Sequence, residues 1–221
     1  MTTATPQRLT LVGAGNMARG IATRALAGRH TVRILGRDTA KAEKLVADLA
    51  GTAPDADVRV GGEQDVAAAD IVVLALPFEA AKAVAASHAA VLDGKTVVDI
   101  TNPVDYAGWT GLTVPAGTSA AEEIAASAPG AHVVKAFNTT FAGTLAAGSL
   151  PDGVPLDLFL AGDDEEAKGQ VARIGRDGGM HVIDAGPLAR ARELEGFQFL
   201  HMALQGSLGS NWMSGIKIVL P

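Results

Sequence analysis

The stretch Leu9-Thr10-Leu11-Val12-Gly13-Ala14-Gly15-Asn16-Met17-Ala18-Arg19-Gly20 decides how the chain is read. Arg8 to Val12 reads as a short buried strand, and Gly13-x-Gly15-x-x-Ala18 as the turn that leads it into a helix. The first glycine suits a tight turn, the second lets backbone approach a pyrophosphate, and the third position must be small for helix and strand to pack. A pyrophosphate would rest on the free N–H groups of that helix's first turn. A glycine turn without a ligand is the simpler alternative. Here, however, the fingerprint follows a strand, opens an amphipathic helix and lies close to the N-terminus, the context a dinucleotide site requires.

Working outward, Asn16 to Ala27 is predicted helical, with Met17, Ile21, Ala25 and Leu26 recurring on one face. Thr31 to Leu35 is the second strand, and Gly36-Arg37-Asp38 stands at its end. An acidic side chain at this place favours the ribose of NAD, whereas an arginine favours the 2′-phosphate of NADP. Arg37 offers a planar charged fork, and Lys41 adds a second cation about one helical turn on. Asp38 could turn to the ribose, or cap the following helix together with Thr39. The expected cofactor is therefore NADP(H).

Helix Thr39–Ala50, short strand Val58–Val60 and a brief crossover Glu63–Ala69 lead to Asp70–Leu76, a continuous apolar run suited to a strand buried on both faces. Leu76-Pro77-Phe78 follows at its carboxyl end, where ligands collect in this architecture; Pro77 also suits the first turn of a helix. That helix is expected over Phe78–Leu92, the next strand over Lys95–Ile100, and Thr101-Asn102-Pro103 again falls on the ligand side. A long loop, Tyr106–Gly117, holds Trp109; Ser119 and Glu122 form a capping box for a helix to Ser127. Strand His132–Phe137 ends in Asn138-Thr139-Thr140-Phe141, read as a second loop. Strand Leu156–Ala161, a helix opened by Asp163–Glu166, strand Met180–Asp184, a long helix Pro187–Leu204 and a glycine-containing tail complete the chain. The four acids fit a helix dipole better than a metal site. The order βαβαβ…βαβ predicts an α/β, Rossmann-like, doubly wound and mainly parallel sheet. Residues 1–185 are expected to form the dinucleotide-binding domain and 186–221 a small helical appendage, with no large substrate domain.

Composition narrows the partners. The chain has 221 residues, 48% of them hydrophobic, a formal charge of −6 and no cysteine. No basic tract points to nucleic acid. Disulfides, thiolate catalysis and zinc–thiolate clusters are excluded, which permits a cytoplasmic location. Met1–Gln7 lacks the apolar core of a signal peptide, and no apolar run reaches the roughly 18 residues a membrane span needs. Reduction of a ketone calls for a positioned proton donor. The only tyrosine, Tyr106, has no lysine four residues on. His30, His132 and His181 border strands, His88 reads as a solvated helix position, and His201 could reach a pocket from the last helix. Lys135 and Lys217 are the best-placed lysines, with a surface role as the alternative. No catalytic acid or base is assigned. Hydride transfer to a flavin-like ring needs less: a dry cleft and two aligned rings.

These residues resemble a known family. Gly13-Ala14-Gly15-Asn16-Met17-Ala18, Gly36-Arg37, Leu76-Pro77-Phe78, Asp163-Asp164 with Lys168, Asp184-Ala185-Gly186-Pro187-Leu188 and Gly215-Ile216-Lys217 resemble the coenzyme F420-dependent NADP oxidoreductases, which move hydride between NADPH and a deazaflavin. The middle segments Asp99–Pro103 and Val133–Thr139 are more similar to the cytosolic reductase domain of STEAP ferric reductases and to small bacterial dinucleotide-binding oxidoreductases. Asn138 stands where the F420 enzymes typically have histidine, and Gly36 where they commonly have serine. By position, the resemblance implies that Gly13, Ala14, Gly15, Asn16 and Met17 hold the pyrophosphate, and Arg37 and Lys41 the 2′-phosphate. Leu76, Pro77, Phe78, Asn102 and Pro103 would border the nicotinamide. Phe137, Asn138 and Thr139, with the tail 206–217 that includes Lys217, would shape the acceptor pocket. It also implies a homodimer, and coenzyme F420 or a flavin (FMN or FAD) as hydride partner. A STEAP-like NADPH:flavin or ferric reductase and a non-catalytic NADPH sensor are the rival readings. Pyrroline-5-carboxylate reductases share Gly-x-Gly-Asn-Met but need a helical dimerisation domain.

Overall fold

The structure, a computed structural model, describes residues 5–219; residues 1–4 and 220–221, the start of the polar leader and the end of the tail, lie outside the described residues. The first half alternates β1 (Arg8–Val12), α1 (Asn16–Ala27), β2 (Thr31–Leu35), α2 (Thr39–Thr52), β3 (Val58–Val60), α3 (Glu63–Ala68) and β4 (Ile71–Leu74). Then come α4 (Phe78–Ser87), α5 (Ala89–Leu92), β5 (Thr96–Asp99), α6 (Ala120–Ser127), β6 (His132–Ala136) and α7 (Ala142–Ala147). The last part holds β7 (Asp157–Gly162), α8 (Glu165–Asp177), β8 (His181–Asp184), α9 (Ala191–Ala203) and α10 (Gln205–Leu208).

The strands form one sheet in the order β3-β2-β1-β4-β5-β6-β7-β8. All neighbours are parallel except β6 and β7, which pair Val134 with Gly162 and Ala136 with Leu160 in antiparallel register. The expected Rossmann-like, mainly parallel sheet is what the chain forms. Because successive side chains of a strand point to opposite faces, the sheet feeds two cores. Ile71, Val73 and Val98 join the layer of α1, α2, α7 and α8, whereas Val72, Leu74 and Val97 join that of α4, α5 and α6.

The chain order reverses between β1 and β4, and the glycine turn lies there. The Gly13 N–H donates to the Leu35 carbonyl at 2.7 Å and the Ala75 N–H to the Val12 carbonyl at 2.9 Å. Gly13 has φ +125°, and a Cβ on it would lie 2.2 Å from the Ala75 carbonyl oxygen. Glycine is therefore required twice over, by conformation and by space.

Several boundaries differ from the sequence reading. β4 ends at Leu74, two residues before the apolar run does, because Ala75 and Leu76 turn outward to become cleft wall. The helix expected over Phe78–Leu92 breaks at His88, whose ring nitrogens meet the Val84 carbonyl, Ser87 Oγ and Glu63 Oε2 instead of solvent alone. The helix expected from Pro187 begins with a 3-10 turn, Leu188–Arg190, and is α-helical only from Ala191. Helix α7 falls in the stretch 142–155, to which the sequence reading assigns no element. It lacks a side-chain N-cap, and its support is tertiary: Gly20 of α1 faces it so closely that a Cβ there would lie 2.7 Å from Leu145 Cβ.

Candidate functional site

A cleft of about 970 Å³ opens along the carboxyl ends of β1, β4, β5 and β6. The Gly15-Asn16-Met17 turn forms its floor at one end, Leu76-Pro77-Phe78 one side, and Asn102, Pro103 and Asn138 the inner end. Sequence reasoning placed these residues on one ligand-facing edge, and the fold brings them together. Gly13 and Ala14 support the turn without lining the cleft, and Phe137 and Thr139 are buried behind Asn138.

The glycine end has the shape a pyrophosphate needs. Gly15 is exposed with an ordinary φ of −90°, and a Cβ built on it would meet nothing within 4 Å. The space above the first turn of α1 is therefore open to a ligand that approaches backbone N–H groups directly. Arg37 and Lys41 stand exposed at the end of β2 and the start of α2. Asp38 is turned into the helix: its carboxylate accepts the Lys41 N–H at 3.2 Å as the N-cap of α2. The carboxylate that could have served a ribose thus has a local task, and Arg37 makes no ion pair among the described residues.

The inner end is polar but nearly uncharged. Asn102 and Asn138 bind each other, while Asn138 Nδ2 also donates to the Leu194 carbonyl at 3.3 Å. Thr101 Oγ1, Asn138 Oδ1 and Thr139 Oγ1 are buried without a hydrogen-bond partner among the described residues. Buried polar atoms are normally paired, so three orphans at the ends of two adjacent strands suit a ligand with its own donors and acceptors, such as a carboxamide. Between them Phe137 is fully buried at φ +62°. That conformation is disfavoured for an aromatic residue, and such strain gathers at binding sites.

Two walls come from α9 and from the tail 206–217, which the resemblance assigns to the acceptor pocket without singling out the residues that line it. Gln198 and Met202 of α9 and Asn211, Trp212 and Met213 of the tail close the far side. Trp212 meets Phe141 edge-on at 5.2 Å between ring centroids, and both Asn211 (φ +49°) and Trp212 (φ +61°) are left-handed. Paired left-handed residues leave no helical or strand pattern, so periodicity gives no signal there. His201 does reach the pocket region, but behind its wall. It stacks on Phe141, its Nδ1 lies 3.2 Å from Gln198 Oε1 and its Nε2 2.8 Å from Ser214 Oγ. Burial holds its pKa below the ordinary histidine value.

Both lysines differ from expectation. Lys217 does not line this cleft; its ammonium binds the buried Asp157 carboxylate, which also accepts the Ile218 N–H at 2.7 Å and faces His181 Nδ1 at 3.0 Å. It clasps the tail to β7. Lys135 is not a surface residue but wholly buried between Asp99 and Glu195, at 2.7 Å from each. Nothing in the sequence marks Glu195, which reads as an ordinary helix-surface acid. The run Asp163–Glu166 serves the fold: Asp164 caps α8, Glu165 and Glu166 fill its first turn, and Asp163 accepts the Leu188 N–H at 2.9 Å. Among the described residues no helix is long and apolar enough to cross a membrane.

A glycine turn at the reversal point of a doubly wound sheet, with a cleft across the strand ends, defines a dinucleotide-binding fold of the oxidoreductase type. The sequence profile described as "NADP oxidoreductase coenzyme F420-dependent" matches residues 8–103. The F420-dependent NADP reductase of Methanocaldococcus jannaschii is 31% identical over 218 residues, which cover 94% of this chain and 96% of that protein. The metalloreductase STEAP3 of Rattus norvegicus is 30% identical over 185 residues; the match takes in 84% of this chain but only 35% of STEAP3. A solved structure from Arthrobacter sp. FB24, provisionally described as an F420-dependent NADP reductase, superposes with a TM-score of 0.80 at 29% identity, covering 97% of this chain and all of that one. The chain belongs to the family of F420-dependent NADP oxidoreductases and is an NADP-dependent oxidoreductase.

Proposed function

We propose that this protein transfers hydride between NADP(H) and a deazaflavin of the coenzyme F420 class. One observation carries the reading: among the described residues the cleft lining holds no lysine, arginine or histidine, and the ionisable side chains in it are Glu79 and Tyr106. Reduction of a ketone or imine needs a proton placed at the substrate. Transfer between two stacked rings needs mainly alignment and exclusion of water. The names of the relatives agree with this assignment.

Gly13 to Met17 bind the pyrophosphate, and Arg37 with Lys41 the 2′-phosphate, the former as a bidentate fork. Leu76, Pro77, Phe78, Asn102 and Pro103 flank the nicotinamide. Phe137, Asn138 and Thr139 shape its carboxamide end, and the appendage after residue 185 supplies the wall against which the acceptor ring lies. Lys217 acts from outside, by holding the tail. NADPH supplies the hydride; the protein orients the rings and keeps water out. Residues 1–185 serve as the dinucleotide domain and 186–221 complete the pocket. Phe197, Leu200, Leu204 and Leu208, exposed along one face of α9 and α10, join two copies in a homodimer.

A second reading, flavin reduction of the STEAP type, is favoured by Asn138 and by the STEAP3 match. Anaerobic NADPH oxidation with coenzyme F420, FMN, FAD and riboflavin offered in turn, and NADH as control, separates the two. Turnover with F420 alone supports the proposal, and turnover only with flavins replaces it by the second reading. Tight NADPH binding without turnover on any of the four rejects both and leaves an acceptor of another class, or a sensor.

A further inference from the structure

Asp99 and Lys135 are directly opposite in the β5–β6 register. Both lie on the sheet face covered by α6 and α9. The Lys135 ammonium donates to Asp99 Oδ2 at 2.7 Å and to the Thr101 carbonyl at 2.5 Å, and lies 2.7 Å from Glu195 Oε1. Glu195 also accepts the Ala120 N–H at 3.0 Å and the Ala121 N–H at 3.4 Å, at the start of α6. Asp99 Oδ1 accepts the Thr101 N–H at 2.8 Å. Asp99, Lys135 and Glu195 are all 0% exposed.

Two features go beyond structural support. First, the Thr101 peptide is gripped from both sides, its N–H by Asp99 and its carbonyl by Lys135, and Thr101 and Asn102 line the cleft. Second, the cluster has two carboxylates for one ammonium. Facing Glu195 are Asp99 of β5, Lys135 of β6 and the N-terminal N–H groups of α6, and the helix dipole offsets only part of a charge. The surface acids of α6, Glu122 and Glu123, are themselves paired with Arg192 and Lys82.

We infer that the Asp99–Lys135–Glu195 cluster places a surplus negative charge beneath the nicotinamide and so binds the oxidised, cationic ring in preference to the reduced, neutral one. This rests on the placement of NADP(H) proposed above. When hydride leaves NADPH, its two electrons pass to the acceptor and the nicotinamide becomes a cation. A buried carboxylate, poorly screened by water, stabilises that cation. The cluster acts as a positioning and electrostatic group and does not touch the reacting atoms.

The test is the ratio of two dissociation constants, Kd for NADP⁺ over Kd for NADPH, measured at pH 8 by fluorescence titration for wild type, Glu195→Gln and Asp99→Asn. Each variant is near-isosteric and removes one charge. The ratio is expected to rise by about fivefold in each, as for a unit charge acting across several ångströms at intermediate effective dielectric. A purely structural role weakens both forms alike; a ratio within twofold of wild type in both variants overturns the inference. Wild type gives a readout that no folding defect can obscure. Burial raises the Glu195 carboxyl above its ordinary value, so the wild-type ratio is expected to rise as the pH is lowered from 8 and Glu195 takes up a proton. A wild-type ratio that never rises while the fold holds also overturns the inference. Wild type that binds neither nucleotide would instead reject the placement of NADP(H) itself.

Discussion

Asn102 and Asn138 hold each other across the ends of β5 and β6: Asn102 Nδ2 donates to the Asn138 carbonyl at 3.0 Å and Asn138 Nδ2 to Asn102 Oδ1 at 2.9 Å. This reciprocal pair fixes the inner end of the cleft. Asn138→Ala leaves the Asn102 side-chain oxygen without its donor and should cost about 1–2 kcal/mol of stability. Misplaced rings lose rate steeply, so single-turnover NADPH oxidation should slow about tenfold or more while the NADPH Kd changes less than about threefold. Stopped-flow absorbance and a thermal melt measure the two effects. An unchanged rate would show that the pair does not position the ring.

In the proposed site Arg37 has the task of separating the two dinucleotides. Arg37→Ala should raise the NADPH Kd by about 10- to 100-fold, the loss of a charge-assisted bidentate contact, and leave NADH binding as it was. Parallel fluorescence titrations give the comparison. Equal NADPH affinity in both proteins would remove Arg37 from the phosphate site.

Gly13 and Gly15 differ in what they protect. Gly13→Ala forces a Cβ against the Ala75 carbonyl at a left-handed φ and should lower the melting temperature markedly. Gly15→Val has open space and an allowed φ, so its stability should stay within about 1 kcal/mol while NADPH binding is lost to steric exclusion of the pyrophosphate. Calorimetry with titration distinguishes fold from ligand.

Asp157 clasps the tail. Burial pushes its carboxyl up, but the Ile218 N–H, Lys217 and His181 outweigh this and hold the pKa below the ordinary value of 3.8. A depressed carboxyl stabilises the fold above its unfolded pKa, and that contribution is lost as pH falls through the folded value. Asp157→Asn should therefore be less stable than wild type at pH 7, with the difference shrinking below about pH 4. Because the clasp seats the segment carrying Trp212 and Met213, the KM for the acceptor should rise more than that for NADPH. Urea melts across pH and steady-state kinetics check both parts; a difference constant in pH would separate the loss from the carboxylate charge.

Leu200 and Leu204 are 56% and 43% exposed on the stripe that continues to Leu208. A Leu200→Glu, Leu204→Glu double variant should run as a monomer in sedimentation velocity where wild type runs as a dimer. A monomeric wild type would end the dimer proposal.

Most of the sheet was legible because a Rossmann-like fold is written in local patterns. Apolar strands, amphipathic helices and a glycine turn each leave a periodicity or a residue type that neighbouring positions alone account for. The ligand edge was legible for the same reason: Gly15, Leu76 and Asn102 all follow strands, and parallel strands align their carboxyl ends. Helix α7 was not, since its stability comes from Gly20 on another helix. At the break, His88 meets Glu63, 25 residues away in sequence, a partner no local pattern announces.

What the sequence by itself determined is the proposed nucleotide end: Gly13-x-Gly15 and Arg37 offer backbone geometry and charge that a few adjacent residues specify. What only the tertiary structure decided is the acceptor end and its electrostatics. Lys135 could have been a surface cation, and Lys217 a ligand contact, on any local reading. Burial of one between Asp99 and Glu195, and capture of the other by Asp157, arise from side chains brought together across β5, β6, β7, α9 and the tail. Long-range packing sets the burial and the partners that those residues finally have.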